Sequence, residues 1–216
     1  MPPKAKVRKD EMICAALNVA RRKGIDAVTA REVAAELGVS PRPIFTYYDT
    51  MDQLRRDVYE LAKRQYREYI ERGLAGPIPF LGVGQQYIRF AREEPELYKL
   101  LFLTRPDGVL GGAMEALAFS QELVRDSVMR IYDMDAHAAE CYFRDLWLMA
   151  FSFATLIVTD DCPYTDEQMS AVFTEVSLSV CKAYKEVPGL PEGRFDRDAM
   201  FRELIASGNK DGRKGR

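Results

Sequence analysis

Residues 29–54 read TAREVAAELGVSPRPIFTYYDTMDQL, and their reading decides the fold. Thr29 with Glu32 three residues on has the spacing of a capping box, and Val28 with Val33 the spacing of a hydrophobic staple. The helix opened there must be short, because Gly38 supplies the left-handed conformation that closes helices. Only Val39 separates that stop from a new start, where Ser40 is a good N-cap and Pro41 a favoured first residue. Pro43 costs no bond in a first turn but biases Arg42 away from the α region. A second helix with an irregular first turn is therefore expected, with the Ser40 side chain capping through the Arg42 N–H. Thr50 and Gln53 repeat the capping-box pattern and open a long helix from about 51 to 72. Helix, tight turn, helix is the result. GVSPRPIFTYY is too poor in aliphatic residues for a buried helix and too poor in Glu, Lys and Ala for an idle one.

Working outward, residues 8–23 place Met12, Ala15, Ala16 and Val19 at helical spacing before a stop at Gly24. Leu54, Val58, Leu61 and Ala62 form the stripe of the long helix. GLAGPIPFLG (73–82) then breaks the pattern with three glycines and two prolines. Beyond it, two helices meet near Pro95, TRPDGVLGG makes a further break, and helices follow at about 112–132, 136–159 and 166–186. Residues 187–195 form a loop, 196–206 a last helix, and SGNKDGRKGR a flexible basic tail. The chain is all-α. Its expected parts are a three-helix helix-turn-helix DNA-binding domain over 1–54, a connecting helix over 55–75, a helical ligand-binding and dimerisation domain over 76–207, and the tail at 208–216.

The 216 residues are 47% hydrophobic and 30% charged, an ordinary globular composition with room for one large or two small cores. No run of about 18 apolar residues marks a membrane span, and MPPKAKVRKDEM has no apolar block behind it, so a cytoplasmic protein without a membrane partner is expected. Cys14, Cys141, Cys162 and Cys181 form no C-x-x-C pair and His137 is the sole histidine, so no metal site is expected. The cysteines read as buried reduced thiols, with Cys162, in DDCPYTD, in the loop setting of a reactive one. Without a Gly-rich phosphate loop or a nucleophile–base pairing there is no catalytic residue to name. An enzyme and a cofactor are not expected.

The net charge of −2 hides a basic end: residues 1–23 hold seven lysines and arginines against Asp10 and Glu11. A basic end on an acidic body suits a polyanion partner. The first turn after Gly38 would enter the major groove with Pro41, Arg42 and Pro43 towards base edges. Arginine can hold both guanine acceptors, and proline rings can pack on thymine methyls. Ser40, Thr46, Tyr47 and the helix N-termini would meet phosphates. Ile44 and Tyr48, four apart on one face, read as core, and Phe45 stands between the two roles.

The same residues resemble the tetracycline-repressor (TetR) family, whose pattern runs T-x-x-x-I-A-x-x-x-G-V-S-x-x-x-L-Y-x-H-F-x-x-K-x-x-L. Thr29, Val33, Ala34, Gly38, Val39, Ser40, Ile44 and Leu54 match in kind. The resemblance implies a regulator that binds a palindromic double-stranded operator as a homodimer, commonly a repressor, and senses a small effector. It departs at Met51, where the family has a phosphate-binding lysine, and at Phe45, where it has a tyrosine. Lys4, Lys6, Arg8 and the Tyr47 and Tyr48 hydroxyls are expected to compensate. The alternative is a non-enzymatic interaction module of this fold with weak or lost DNA binding.

By the same resemblance the dimer forms through helices about 141–158 and 166–186. The sequence supports this separately. Met169, Val172, Phe173, Val176, Val180 and Ala183 make one apolar stripe, and Ala171, Leu178 and Cys181 a second, so the helix is expected to be covered on two sides. Phe90, Tyr98, Phe102, Met114, Phe119, Trp147 and Phe151 are the aromatic or soft residues that would line a pocket for a hydrophobic or aromatic effector.

Overall fold

The computed structural model describes residues 7–159 and 162–211, with side chains through residue 206. Nine α-helices and no strand make up these residues: α1 Lys9–Lys23, α2 Ala30–Leu37, α3 Met51–Leu74, α4 Pro79–Glu93, α5 Pro95–Tyr98, α6 Ala113–Tyr132, α7 Ala136–Thr159, α8 Asp166–Glu186 and α9 Arg197–Asp211. A π turn, Lys99–Leu103, continues α5.

The start signals at Thr29 and Thr50 act where the sequence puts them. Thr29 Oγ1 accepts from the Glu32 N–H at 3.3 Å, and Gly38 closes α2 at φ 66°. Glu32 does not complete the box; its carboxylate is drawn off by Lys23 at 2.5 Å. At α3 the box is complete, Thr50 accepting from the Gln53 N–H while Gln53 accepts from the Thr50 N–H. Met12, Ala16, Val28, Val33, Ile44, Leu54 and Val58, all at most 1% exposed, pack where α1, α2 and α3 cross.

The expected second helix of the helix-turn-helix does not form. Residues 41–48 make a turn and a single 3-10 turn, Ile44–Thr46. The Ile44 and Thr46 N–H groups reach back three residues, to the Pro41 and Pro43 carbonyls, and only Tyr48 reaches back four, to Ile44. Bonds reaching back three residues thus stand where an α ladder would start. Ser40 makes no side-chain hydrogen bond among the described residues.

α3 serves both halves of the molecule; at 1.5 Å per residue its 24 residues span about 36 Å. The break at 73–82 is shorter than the glycines suggested: α3 runs to Leu74 and α4 starts at Pro79, so Gly73 and Gly82 lie inside helices. A Cβ on Gly73 would sit 2.6 Å from the Val83 nitrogen, and one on Gly82 would overlap the Gly73 carbonyl. The two backbones touch there.

The body core is aromatic. Tyr66, Tyr87, Phe90, Tyr98 and Phe102 are buried together on α3, α4, α5 and the π turn, their rings meeting edge-on or tilted at 4.8–6.0 Å. Ser120, the buried polar residue among them, bonds the Tyr66 hydroxyl at 2.9 Å and the Ala116 carbonyl at 2.7 Å. α7 has the length and apolarity of a membrane span. It packs on α4, α6 and α8, which buries 44% of its most apolar window. The last helix extends through Asp211, past the expected end at 206, and residues 212–216 of the expected tail lie outside the described residues. Cys14 is exposed rather than buried, because it lies on the outer side of α1, between the inward Met12 and Ala15.

Candidate nucleic-acid interface and body cavity

The turn after Gly38 is pinned from beneath. Ile44 is 0% and Tyr48 3% exposed. The Tyr48 hydroxyl donates to Asp57 Oδ2 of α3 at 2.8 Å, and the same carboxylate oxygen receives Lys9 Nζ of α1 at 2.9 Å. The Lys9 ammonium also lies 5.1 Å from the Tyr48 ring centroid. One tyrosine thus ties the turn to α1 and α3. Its desolvation, then its bond to Asp57, push the Tyr48 phenol up, so it stays a neutral donor.

Burial works against the ionised Asp57, but hydrogen bonds from Lys9 and Tyr48 outweigh it and hold the carboxyl below its usual range. A depressed folded value means stability that is present above the unfolded carboxylate value of about 3.9 and lost as pH falls through the folded one. Asp57→Asn is expected to lose less of its urea midpoint than the parent between about pH 5 and pH 2. Equal losses would show that the clamp carries no charge dependence.

Over this anchor the structure presents Ser40, Pro41, Arg42, Phe45, Thr46 and Tyr47 to solvent, with Pro43 half-buried. Phe45 is 56% exposed, a large apolar ring on an outer edge. Thr29 is exposed at the N-cap of α2. Met51 is half-buried against the core at the start of α3. Lys4 and Lys6 lie outside the described residues.

The basic end is largely neutralised within the fold. Arg8 faces Asp10 at 3.1 Å and Glu11 at 3.5 Å, Arg22 pairs with Glu36, Lys23 with Glu32, and Arg21 with Glu94 at 2.6 Å. Among the described residues before Thr50, Arg31 and Arg42 alone of the cations pair with no carboxylate. Arg42 sits in the exposed turn. Arg31, exposed in the first turn of α2, escaped the sequence reading; its position two residues after the Thr29 N-cap, beside an orphan-donor helix end, was the available signal.

Residues 13–58 match the model of the family "Bacterial regulatory proteins, tetR family". Over these residues the chain is similar to the TetR family. Over the whole chain the fold is similar to that of a tetR-family transcriptional regulator from Streptomyces coelicolor, with a TM-score of 0.62 and 16% identity over 97% of this chain and 100% of that one. At this identity the likeness is one of fold. No curated protein sequence matches the chain. A TetR-family fold supports a DNA-binding regulator, and members of the family are regulators, generally not enzymes.

Below the head, α3, α4, α6, α7 and α8 line a cavity of about 290 Å³ that opens to solvent beside the exposed Ile78 and Leu178. Its wall includes Tyr66, Phe80, Tyr87, Phe143, Trp147 and Phe173. Of the residues chosen from the sequence for such a pocket, Trp147 alone lines it. Phe90, Tyr98 and Phe102 are spent in the aromatic core, and Phe151 stacks on Trp147 from outside the wall at 5.2 Å. Phe119 lies beneath Lys63 and Arg67, and Met114 is 73% exposed. Phe102 and Met114 do border a second, open hollow beside the 104–112 loop. Composition identifies aromatic residues, but only the helix crossings decide which leave a gap between them.

Proposed function

We propose that this chain is a ligand-responsive transcriptional repressor that binds a palindromic operator as a homodimer, reading bases with the 40–47 turn. The observation that carries the reading is Arg42: an exposed guanidinium with no carboxylate partner, on a turn locked by the buried Ile44 and Tyr48. Arg42 is assigned the base contact. Pro41, Pro43 and Phe45 supply apolar contacts to thymine methyls. Thr29, Ser40, Thr46, Tyr47, Met51 through its backbone N–H, and the basic Lys4, Lys6 and Arg8 serve the phosphates.

Arg31 joins the phosphate set. Arg31→Ala is expected to weaken binding evenly across sequences and to reduce the slope of log affinity against log salt by about 1. A loss confined to one sequence would contradict that role.

Dimerisation through α7 and α8 is supported by apolar side chains left in water by the single chain. Leu148 is 50%, Leu156 37% and Leu178 66% exposed. Ala171 and Leu178, of the second stripe of α8, are the outward ones. A double substitution Leu148→Glu and Leu156→Glu is expected to convert a dimer to a monomer in analytical ultracentrifugation. An unchanged sedimentation coefficient would move the interface elsewhere. The cavity is assigned to the effector. Its occupation favours a spacing of the two heads that no longer fits the operator.

Selection of duplexes from a random pool, at two salt concentrations, tests the DNA reading. Recovery of a palindrome, with affinity falling as salt rises, is the expected result. No enrichment at either salt would leave the interaction module with silenced DNA binding, a reading favoured by the paired cations and by Met51.

A further inference from the structure

We infer that Arg21 and Glu94 latch the head (α1, α2 and the turn) to the body at a fixed tilt, and that this tilt sets the half-site spacing the protein accepts. The first part stands on contacts within one chain. The second deepens the operator reading proposed above and rests on it. Three cations end α1 in succession. Arg22 and Lys23 pair with Glu36 and Glu32 of α2, inside the head. Arg21 alone of the three turns to the body: its Nε donates to Glu94 Oε2 at 2.6 Å, across 73 residues of sequence.

The Glu94 side chain is 16% exposed and that of Arg21 35%, so the pair is mostly out of water. Each nitrogen of the fork has a partner, Nη2 donating to Gln65 Oε1 of α3 at 2.8 Å and Nη1 to Asn18 Oδ1 of α1 at 3.4 Å. One guanidinium thus joins α1, α3 and the corner between α4 and α5. A planar fork fixes direction as well as distance, which a lysine in its place would not. The corner is itself held. The Glu94 N–H donates to the Phe90 carbonyl and the Glu94 carbonyl accepts from the Tyr98 N–H, both at 2.8 Å. Leu97 and Tyr98 are fully buried, and the Tyr98 hydroxyl lies 3.2 Å from Thr155 Oγ1 and 3.4 Å from the Phe151 carbonyl oxygen of α7.

The head otherwise hangs on α3, which runs through both halves, and on the packing of α1 against α5. Long helices curve and apolar packing is non-directional, so neither defines an angle. A second, directional attachment does. The fork meets α3 at Gln65, about 21 Å from Met51 at 1.5 Å per residue. A tilt of about 10° around that point moves the reading turn by about 4 Å, roughly the 3.4 Å rise of one base pair. In a two-fold dimer an unlatched head would therefore accept neighbouring spacings that a latched head refuses.

Two measurements on the full-length protein test the two parts. Nitroxides are placed on the exposed Cys14 of α1 and on Asp126→Cys of α6, the other three cysteines being replaced by alanine. Labelled chains are diluted in unlabelled ones, so that double electron–electron resonance reads one head-to-body distance. The parent is expected to give a single narrow distance. Arg21→Gln and Glu94→Gln are each expected to shift or spread it by about 4 Å. The double variant should do no more than either single one, because the two residues share one interaction. Arg22→Gln, which breaks a pair inside the head, should leave the distance alone. On duplexes differing only in half-site spacing, each latch variant is expected to lose at least about fivefold of the parent's preference for its best spacing over the next. Base preference within each half-site should stay as it was.

An unchanged distance in both single variants would overturn the latch. Effects that add in the double variant would overturn the pairing. A loosened head with an unchanged spacing preference would overturn the link to operator choice. Loss of base preference along with spacing would place the effect in the reading turn and overturn that link too. A protein that selects no DNA would remove the operator reading and the spacing with it, while the distances still decide the latch. The double variant leaves no buried charge without its partner, so it decides the first part even if a single variant does not fold.

Discussion

Arg42→Ala is expected to weaken binding to the selected operator by about 1–3 kcal/mol, a loss of roughly 5- to 150-fold, and to relax base preference at one position of each half-site. The size follows from a bidentate guanidinium–guanine contact, in which two hydrogen bonds are lost together. Folding should be untouched, because Arg42 is exposed and the turn is held by Ile44, Tyr48 and Asp57. Both readouts are needed. A phosphate contact would also weaken binding, but evenly over all sequences and with a flatter salt dependence. Competition binding of the variant on single-base operator variants separates the two. Unchanged discrimination at every position would remove Arg42 from the bases.

Gly73→Ala is expected to lower stability by about 2–3 kcal/mol, against the sign that helix propensity gives. Alanine within a helix is favoured over glycine by about 1 kcal/mol, so an unobstructed site would be stabilised. Here the new Cβ would lie 2.6 Å from the Val83 nitrogen and 2.7 Å from the Gly82 carbonyl carbon and oxygen. These are backbone atoms of α4, with no rotamer to escape into, so the helices must part and overpacking costs dominate. Gly84→Ala is the comparison. Its Cβ would meet the Phe173 ring at 3.2 Å, a side chain able to turn, and its loss should be clearly smaller. Urea midpoints of the three proteins decide. A Gly73→Ala protein as stable as the parent would mean that the α3–α4 crossing yields.

Gly73 and Gly82 also mark where sequence reasoning reached its limit. In a one-dimensional reading, glycines near prolines are breakers, and GLAGPIPFLG was expected to separate two domains. In the fold only residues 75–78 are a link, and the two flanking glycines permit helix contact. The residue type is the same in both readings. The difference lies in what passes within reach of the missing Cβ, which no local pattern records. The 40–48 turn failed for another reason. Its cap and proline signals each favour a helix start, but they do not decide between bonds reaching back three residues and four, and residues 44–46 take the former.

The sequence by itself determined the all-α class and most helix boundaries, because caps, glycine stops and apolar spacing act over three or four residues. It also determined that Ile44 and Tyr48 turn inward, since they lie on the apolar side of their element. The tertiary structure alone decided that Lys9, Arg21 and Arg22 are matched by carboxylates while Arg31 and Arg42 are not, since Lys9 meets its acid only where α1 crosses α3. It alone chose Trp147 from seven candidate residues for the cavity wall. Charge pairing and voids arise from side chains far apart in the chain, placed by the angles at which helices cross, and those angles are set by the whole core.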